Sequence, residues 1–287
     1  MIALILSILS SSVIFVIFKL FNRFKINTFQ AIVFNYFTAF LIGVSLYGNE
    51  WNSKALEQVN WIYFVFIASL LFISLFIIMG LSSQLNGVAS TSVAVKMSMA
   101  FSLLLMIIGY GEEVSILKVI GIILAIAGVI MVSIEKKGTT SVNSGWMLLV
   151  LFLGSGALDF SLNYTQKNML GTLTPSLFSA FGLGLAGIFG LIILLFRKFK
   201  GEEKLESKNI LAGIILGIPN YFSIYLLLLS YKTTGLKDSS ALAITNVGVV
   251  LTSSLIGFLL FKESHSTRKV IGLIAALSAI VSLYFAN

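Results

Sequence analysis

The chain of 287 residues is 58% hydrophobic and only 10% charged, with a mean hydropathy of +1.03, whereas soluble domains run near 45–50% apolar and about 25% charged. That composition excludes a soluble globular enzyme. A net charge of +8 would suit nucleic acid only if lysines and arginines clustered on one solvated face beside base-reading residues; here they sit singly or in short groups between apolar runs, so no nucleic-acid partner is expected.

A bilayer-crossing helix needs about 20 apolar residues, and the sequence predicts ten at 2–21, 28–47, 59–80, 88–110, 115–134, 145–165, 175–197, 209–231, 239–261 and 267–285. Roughly 200 residues then lie in the membrane, leaving about 8 per connection or tail and no extramembrane domain of even ~50 residues. Period-2 alternation is absent, so the expected fold is an all-α membrane protein, multi-pass in the cell (inner) membrane. The first run lacks a basic leader and an Ala-x-Ala site and is expected to be retained. With no cysteine, disulfides and thiolate metal sites are excluded, and neither metal nor cofactor is expected. Trp51, Trp61 and Trp146 fall at span ends, where amphipathic rings settle.

Taken in chain order, the spans carry few polar residues, and each invites two readings. Asn35 and Tyr36 in the second span offer neutral donors and acceptors, suited to a ligand or to helix-to-helix contact. Lys96, in Thr91-Ser92-Val93-Ala94-Val95-Lys96-Met97-Ser98 of the fourth span, lies about 12 Å from the span start at 1.5 Å per residue. An ammonium so deep must face a partner or a watered cavity, as a solute contact or a structural ion pair. Asp159, the only carboxylate inside a span, forms a stripe with Ser155 and Asn163 on the sixth helix; it could pair with Lys96, relay protons or reach interfacial water. In the eighth span Pro219 removes an amide donor beside Asn220 and Tyr221, marking either a broken helix at a substrate site or a structural kink. Asn246 sits at similar depth in the ninth. Glu112 and Glu263 end the fourth and ninth spans and suit structural or gating roles, pairing with Lys118 and Lys269 or capping the following helix. His265, the lone histidine, reads as a surface residue.

The chain also repeats itself. Sliding it by 151 residues matches Glu112, Ser115, Lys118, Val119, Ile120, Gly121, Ile123 and Ala125 to Glu263, Ser266, Lys269, Val270, Ile271, Gly272, Ile274 and Ala276. The repeat unit holds five spans, an odd number, so the second copy enters the membrane inverted, an architecture of secondary transporters. The expected halves are 1–137 and 144–287. Small residues at four-residue spacing (Gly121 and Ala125, Gly272 and Ala276, Gly182, Ala186 and Gly190, Gly213 and Gly217) allow close helix approach, within one chain or in a homodimer through helices five and ten. Alternate connections hold 13 and 5 basic residues, a bias that puts both termini outside the cytoplasm.

Two five-span copies, each with a Glu after the penultimate helix and a Gly nine residues on, resemble the EamA-type branch of the drug/metabolite transporter superfamily. By motif the likeness covers 89–132 and 240–283; by span count it covers nearly the whole chain. The resemblance implies a ten-helix basket moving small polar metabolites such as amino acids, often outward, with Lys19 matching a lysine near the end of the first helix. It also implies cytoplasmic termini, opposite to the charge count. Ser11-Ser12 replaces the aromatic-glycine pair usual before that lysine, the second helix lacks the usual arginine, and the ninth lacks a proline often found there.

The sequence therefore predicts a secondary active transporter of small polar metabolites or organic anions, an exporter working by alternating access. Its small-molecule substrate would meet a cavity lined by Lys96, Asn35, Tyr36, Asp159, Asn220, Tyr221 and Asn246. The alternative is a non-transporting membrane scaffold or assembly protein. No acidic metal cluster, GxSxG or P-loop points to an enzyme.

Overall fold

Hydrocarbon offers a backbone amide no partner, so a spanning segment must close its hydrogen bonds within itself. The computed structural model describes residues 1–52, 60–111, 114–133, 144–169, 173–202, 204–234, 238–263 and 266–286, and among them it contains ten such helices. These are α1 (Ile2–Arg23), α2 (Thr28–Tyr47), α3 (Asn60–Leu85), α4 (Val88–Tyr110), α5 (Ile116–Ser133), α6 (Gly145–Asn168), α7 (Pro175–Phe199), α8 (Ser207–Thr233), α9 (Asp238–Leu260) and α10 (Thr267–Ala286). Each is long and apolar enough to cross a membrane. The chain is an all-helical, multi-pass membrane protein.

The expected spans hold to within a few residues, with the largest difference at α3, which runs to Leu85 rather than ending near 80. Its last turns hold the polar residues Ser82, Ser83 and Gln84. The Ser83 hydroxyl donates to the Met79 carbonyl at 2.8 Å, a bond back along the helix that lets serine continue it. A second difference concerns α8. Pro219 lies inside it, and the helix runs continuously from Ser207 to Thr233, so of its two readings the broken helix is not what the fold adopts.

The helices divide into two compact units. One holds Met1–Leu20, Ile78–Asp159 and Phe222–Asn287; the other holds Phe21–Ile77 and Phe160–Tyr221. In the first, α5 lies against α10 through their small residues. A Cβ on Gly128 would stand 2.9 Å from the Gly272 carbonyl oxygen and 3.1 Å from the Ala276 nitrogen, and one on Gly121 would stand 2.6 Å from Leu283 Cγ. The small faces anticipated on both helices thus close a contact within the chain. Hydroxyls add to the apolar packing: Ser253 Oγ of α9 donates to Ser92 Oγ of α4 at 2.6 Å, and Ser7 Oγ of α1 donates to the Ser223 carbonyl of α8 at 2.8 Å. At one end Asn86 donates to Ser82 Oγ at 2.9 Å and accepts from Ser144 Oγ at 2.6 Å, joining the end of α3 to the start of α6.

In the second unit α2 is the common partner. Gly190 of α7 faces Val33, whose Cγ2 would lie 2.6 Å from an added Cβ. A Cβ on Gly213 or Gly217 of α8 would stand 2.5 Å from the Ala31 carbonyl oxygen or 2.8 Å from that of Asn35. Trp61 stands at the start of α3, the span end expected for it, where it is buried with Val65, Leu173, Leu177 and Phe178 and stacks on Phe181. Trp51 and Trp146 remain exposed.

Gly128→Val should lower the thermal unfolding midpoint in detergent by the equivalent of about 1–3 kcal/mol, the usual cost of overpacking, because backbone atoms of α10 cannot swing aside. Ile123→Ala, on an exposed position of the same helix, should leave it nearly unchanged. Equal midpoints for the two variants would show that close approach does not hold α5 to α10.

Candidate functional site

In the first unit the chemistry gathers on α4, whose Ser90, Thr91, Ser92, Ser98 and Ser102 are buried. Lys96 lies eight residues into this helix, at the depth expected for it, and is half-buried. Its ammonium is the countercharge acting on Asp159 of α6. The approach of the two helices is set by Gly156, where a Cβ would stand 2.7 Å from the Ser98 carbonyl oxygen and 2.8 Å from the Phe101 ring. One turn on, Asp159 Oδ2 accepts from Ser98 Oγ at 3.3 Å. That hydroxyl also lies 2.7 Å from the Val95 carbonyl, so its single proton is shared and the carboxylate keeps accepting capacity. Asp159 is exposed, and a carboxylate at membrane depth is tolerated only toward water or protein dipoles. On α9, Asn246 donates to Met99 Sδ at 3.4 Å, three residues past Lys96 and so on its face of α4. One unit thus assembles a cation, an anion, a hydroxyl and an amide.

The second unit gathers the neutral candidates. Asn220 Nδ2 donates to Asn35 Oδ1 at 3.1 Å, both buried, while Asn35 Nδ2 has no hydrogen-bond partner among the described residues. This amide pair sits where Gly213 and Gly217 bring α8 onto α2. Tyr221 packs its ring edge over Gly43. Tyr36 is fully buried, donates to the Phe72 carbonyl of α3 at 2.6 Å and lies beside Phe76. Its phenol makes the helix-to-helix contact that was one of its two readings.

Glu263 takes a capping role, on an unexpected helix. Its carboxylate accepts from the Val88 and Ala89 amides at 2.7 and 3.2 Å, covering the orphan donors and positive end of α4. The ion-pair partner is Lys19 at 3.7 Å, in place of the nearby Lys269, because α1 brings Lys19 to the junction of α3 and α4, where it also donates to the Gln84 carbonyl at 3.0 Å. Gly87, at φ +96, leaves room: a Cβ there would stand 2.6 Å from the carboxylate. Glu112 and His265 lie outside the described residues.

The model of the EamA-like transporter family matches residues 1–134 and 143–285. The chain belongs to that family. It is also similar to an uncharacterized protein of Haemophilus influenzae, 29% identical over 290 residues that cover 98% of this chain and 97% of that protein.

In this EamA-like transporter the sequence singled out Lys96, Asp159 and Asn246, with a Lys96–Asp159 pair as one reading, and the fold gathers the three in one unit. Ser98 and Gly156 carried no such signal. Ser98 stands two residues from Lys96, a spacing that argues against a shared face, and Gly156 belongs to no four-residue pattern.

Two variants test the Glu263 cap. In a double-mutant cycle, Glu263→Gln and Lys19→Met should each lower the unfolding midpoint and show a coupling of about 0.5–3 kcal/mol, as groups in one network do. Strictly additive effects would show that the pair contributes nothing.

Proposed function

We propose that this EamA-like transporter is a secondary active exporter of small polar metabolites, amino acids or organic anions among them, working by alternating access. The observation that carries the reading is the association of Lys96, Asp159, Ser98 and Asn246 within membrane-spanning helices of one unit. Charged groups at such depth cost several kcal/mol unless they are paired or hydrated, so a membrane protein that keeps them there uses them. Lys96 attracts a carboxylate or phosphate on the solute, at the strength of a charge-assisted hydrogen bond, about 1.5–3 kcal/mol. Asp159 is the proton-coupling group, since its single hydroxyl donor is shared with a backbone carbonyl. Asn35 and Asn220 are proposed as neutral solute contacts and Glu263 as a gating or structural residue. The division into inverted halves at 1–137 and 144–287 belongs to the same proposal; the internal sequence matches support it, as does a family model that matches the chain in two stretches.

A thermal-shift screen against amino acids and organic anions selects the solute, whose transport is then measured in proteoliposomes. Lys96→Met should weaken its apparent affinity roughly tenfold to a hundredfold; unchanged affinity and rate would remove Lys96 from the site. Asp159→Asn should abolish the response of transport to an imposed pH gradient while facilitated exchange persists. Wild-type transport indifferent to that gradient would indicate facilitated diffusion and end the proposed role of Asp159.

A further inference from the structure

The second unit ends in a surface that holds none of the residues proposed above as solute contacts. Two chain segments far apart in sequence meet there, the turn from α1 to α2 and the turn from α7 to α8. A polar knot ties them: the Asn27 amide donates to Asn209 Oδ1 at 3.0 Å, Gln30 Nε2 to the Lys204 carbonyl at 2.9 Å, and Asn209 Nδ2 to Gln30 Oε1 at 2.9 Å. The Arg197 guanidinium lies over the Phe29 ring, 5.2 Å from its centroid. The knot holds six exposed basic residues together, Arg23, Lys25, Arg197, Lys198, Lys200 and Lys204. Acidic balance is thin: Glu206 is paired with Lys208 at 2.8 Å, and the same stretch of sequence adds only Glu202 and Glu203. Between the cations stand Phe24 and Phe199, exposed at 62% and 87%, large apolar rings at the ends of spanning helices.

Basic residues at helix C-termini often serve to satisfy the last carbonyls. Here the backbone itself closes both ends. The Ile26 amide donates to the Phe21 carbonyl at 2.9 Å, and the Gly201 and Glu202 amides donate to the Lys198 and Arg197 carbonyls at 3.0 Å each. Lys200 Nζ lies over the Phe196 ring, 4.5 Å from its centroid. The helix carbonyls do not need these cations, and their charges face outward with the exposed side chains. Lys25 even occupies the left-handed region at φ +51, a conformation that glycine adopts without strain, so a lysine there is kept for its side chain.

We infer that this face binds the headgroups of anionic phospholipids, the rigidly joined cations meeting phosphates while Phe24 and Phe199 enter the acyl boundary. Juxtamembrane cations attract an anionic leaflet by an amount equal to about a fivefold gain in partition per residue, so a preassembled set gives a strong local preference for such lipids.

The full-length protein, purified in neutral detergent, is titrated with dioleoylphosphatidylglycerol or dioleoylphosphatidylcholine while its unfolding midpoint is followed. Phosphatidylglycerol should raise the midpoint, phosphatidylcholine and inorganic phosphate should not, and about 0.5 M NaCl should erase most of the rise. The triple variant Lys25→Gly, Lys198→Gln, Lys204→Gln should fold normally, having lost no contact of the knot, and require about a hundredfold more phosphatidylglycerol for the same effect. Arg268→Gln, an exposed cation of the other unit, should behave as wild type. Equal responses to the two lipids, an undiminished response in the triple variant, or a rise produced by inorganic phosphate alone would each overturn the inference.

Discussion

Helices surrounded by lipid gain nothing by leaving one oily neighbour for another, so their association rests on close van der Waals approach and on polar contacts between them. This constraint explains where the protein places its glycines. Gly128 and Gly272 let α5 and α10 touch through backbone atoms, and Gly213 and Gly217 bring α8 onto the carbonyls of α2. At such points a single methyl group would enter space already occupied by main chain, which no rotamer change can vacate. Serine works in the same way with a directed bond added. Ser92 and Ser253 join α4 to α9, the single Ser253 proton being shared between Ser92 Oγ and the Val249 carbonyl of its own helix.

Charge follows the same need for partners. Asp159 stands where Gly156 has already drawn α6 against α4, and its carboxylate finds Ser98 and the field of Lys96 at that spot. Glu263 answers a different need. The start of α4 presents amides with no intrahelical acceptor, and the carboxylate supplies one to each of two, with Lys19 balancing the charge. Both acidic groups are therefore fixed by backbone geometry next to them, a glycine in each case, and the chemistry depends on side chains that are absent as much as on those present.

The ends of the helices show how turns carry chemistry as well as direction. Among the described residues, three positions stand in the left-handed region as glycine, at 87, 111 and 201, and two as lysine, at 25 and 262. Gly87 makes room for a carboxylate, and Gly201 ends α7 with its carbonyls satisfied. Lys25 keeps a charge where glycine would be easier.

Read alone, the sequence determined the number and type of the helices and their limits to within about one turn, α3 excepted, because hydrocarbon thickness and the need to pair every amide leave one solution for ten apolar runs of that length. It also determined the membrane setting and the family resemblance, and it drew notice to Lys96, Asp159, Asn35, Asn220 and Glu263, since polar groups in apolar runs are few. What it could not supply was partnership. That Asp159 meets Ser98, that Glu263 caps α4 and pairs with Lys19, that Tyr36 and Trp61 are committed to packing, and that α8 passes unbroken through Pro219 are all decided by which helix lies beside which. In a membrane, nearly every helix surface is apolar and the pattern on one helix carries little information about its neighbour, so those choices are made by local fit, a glycine against a carbonyl or a hydroxyl within reach of a carboxylate, and only the tertiary structure records them.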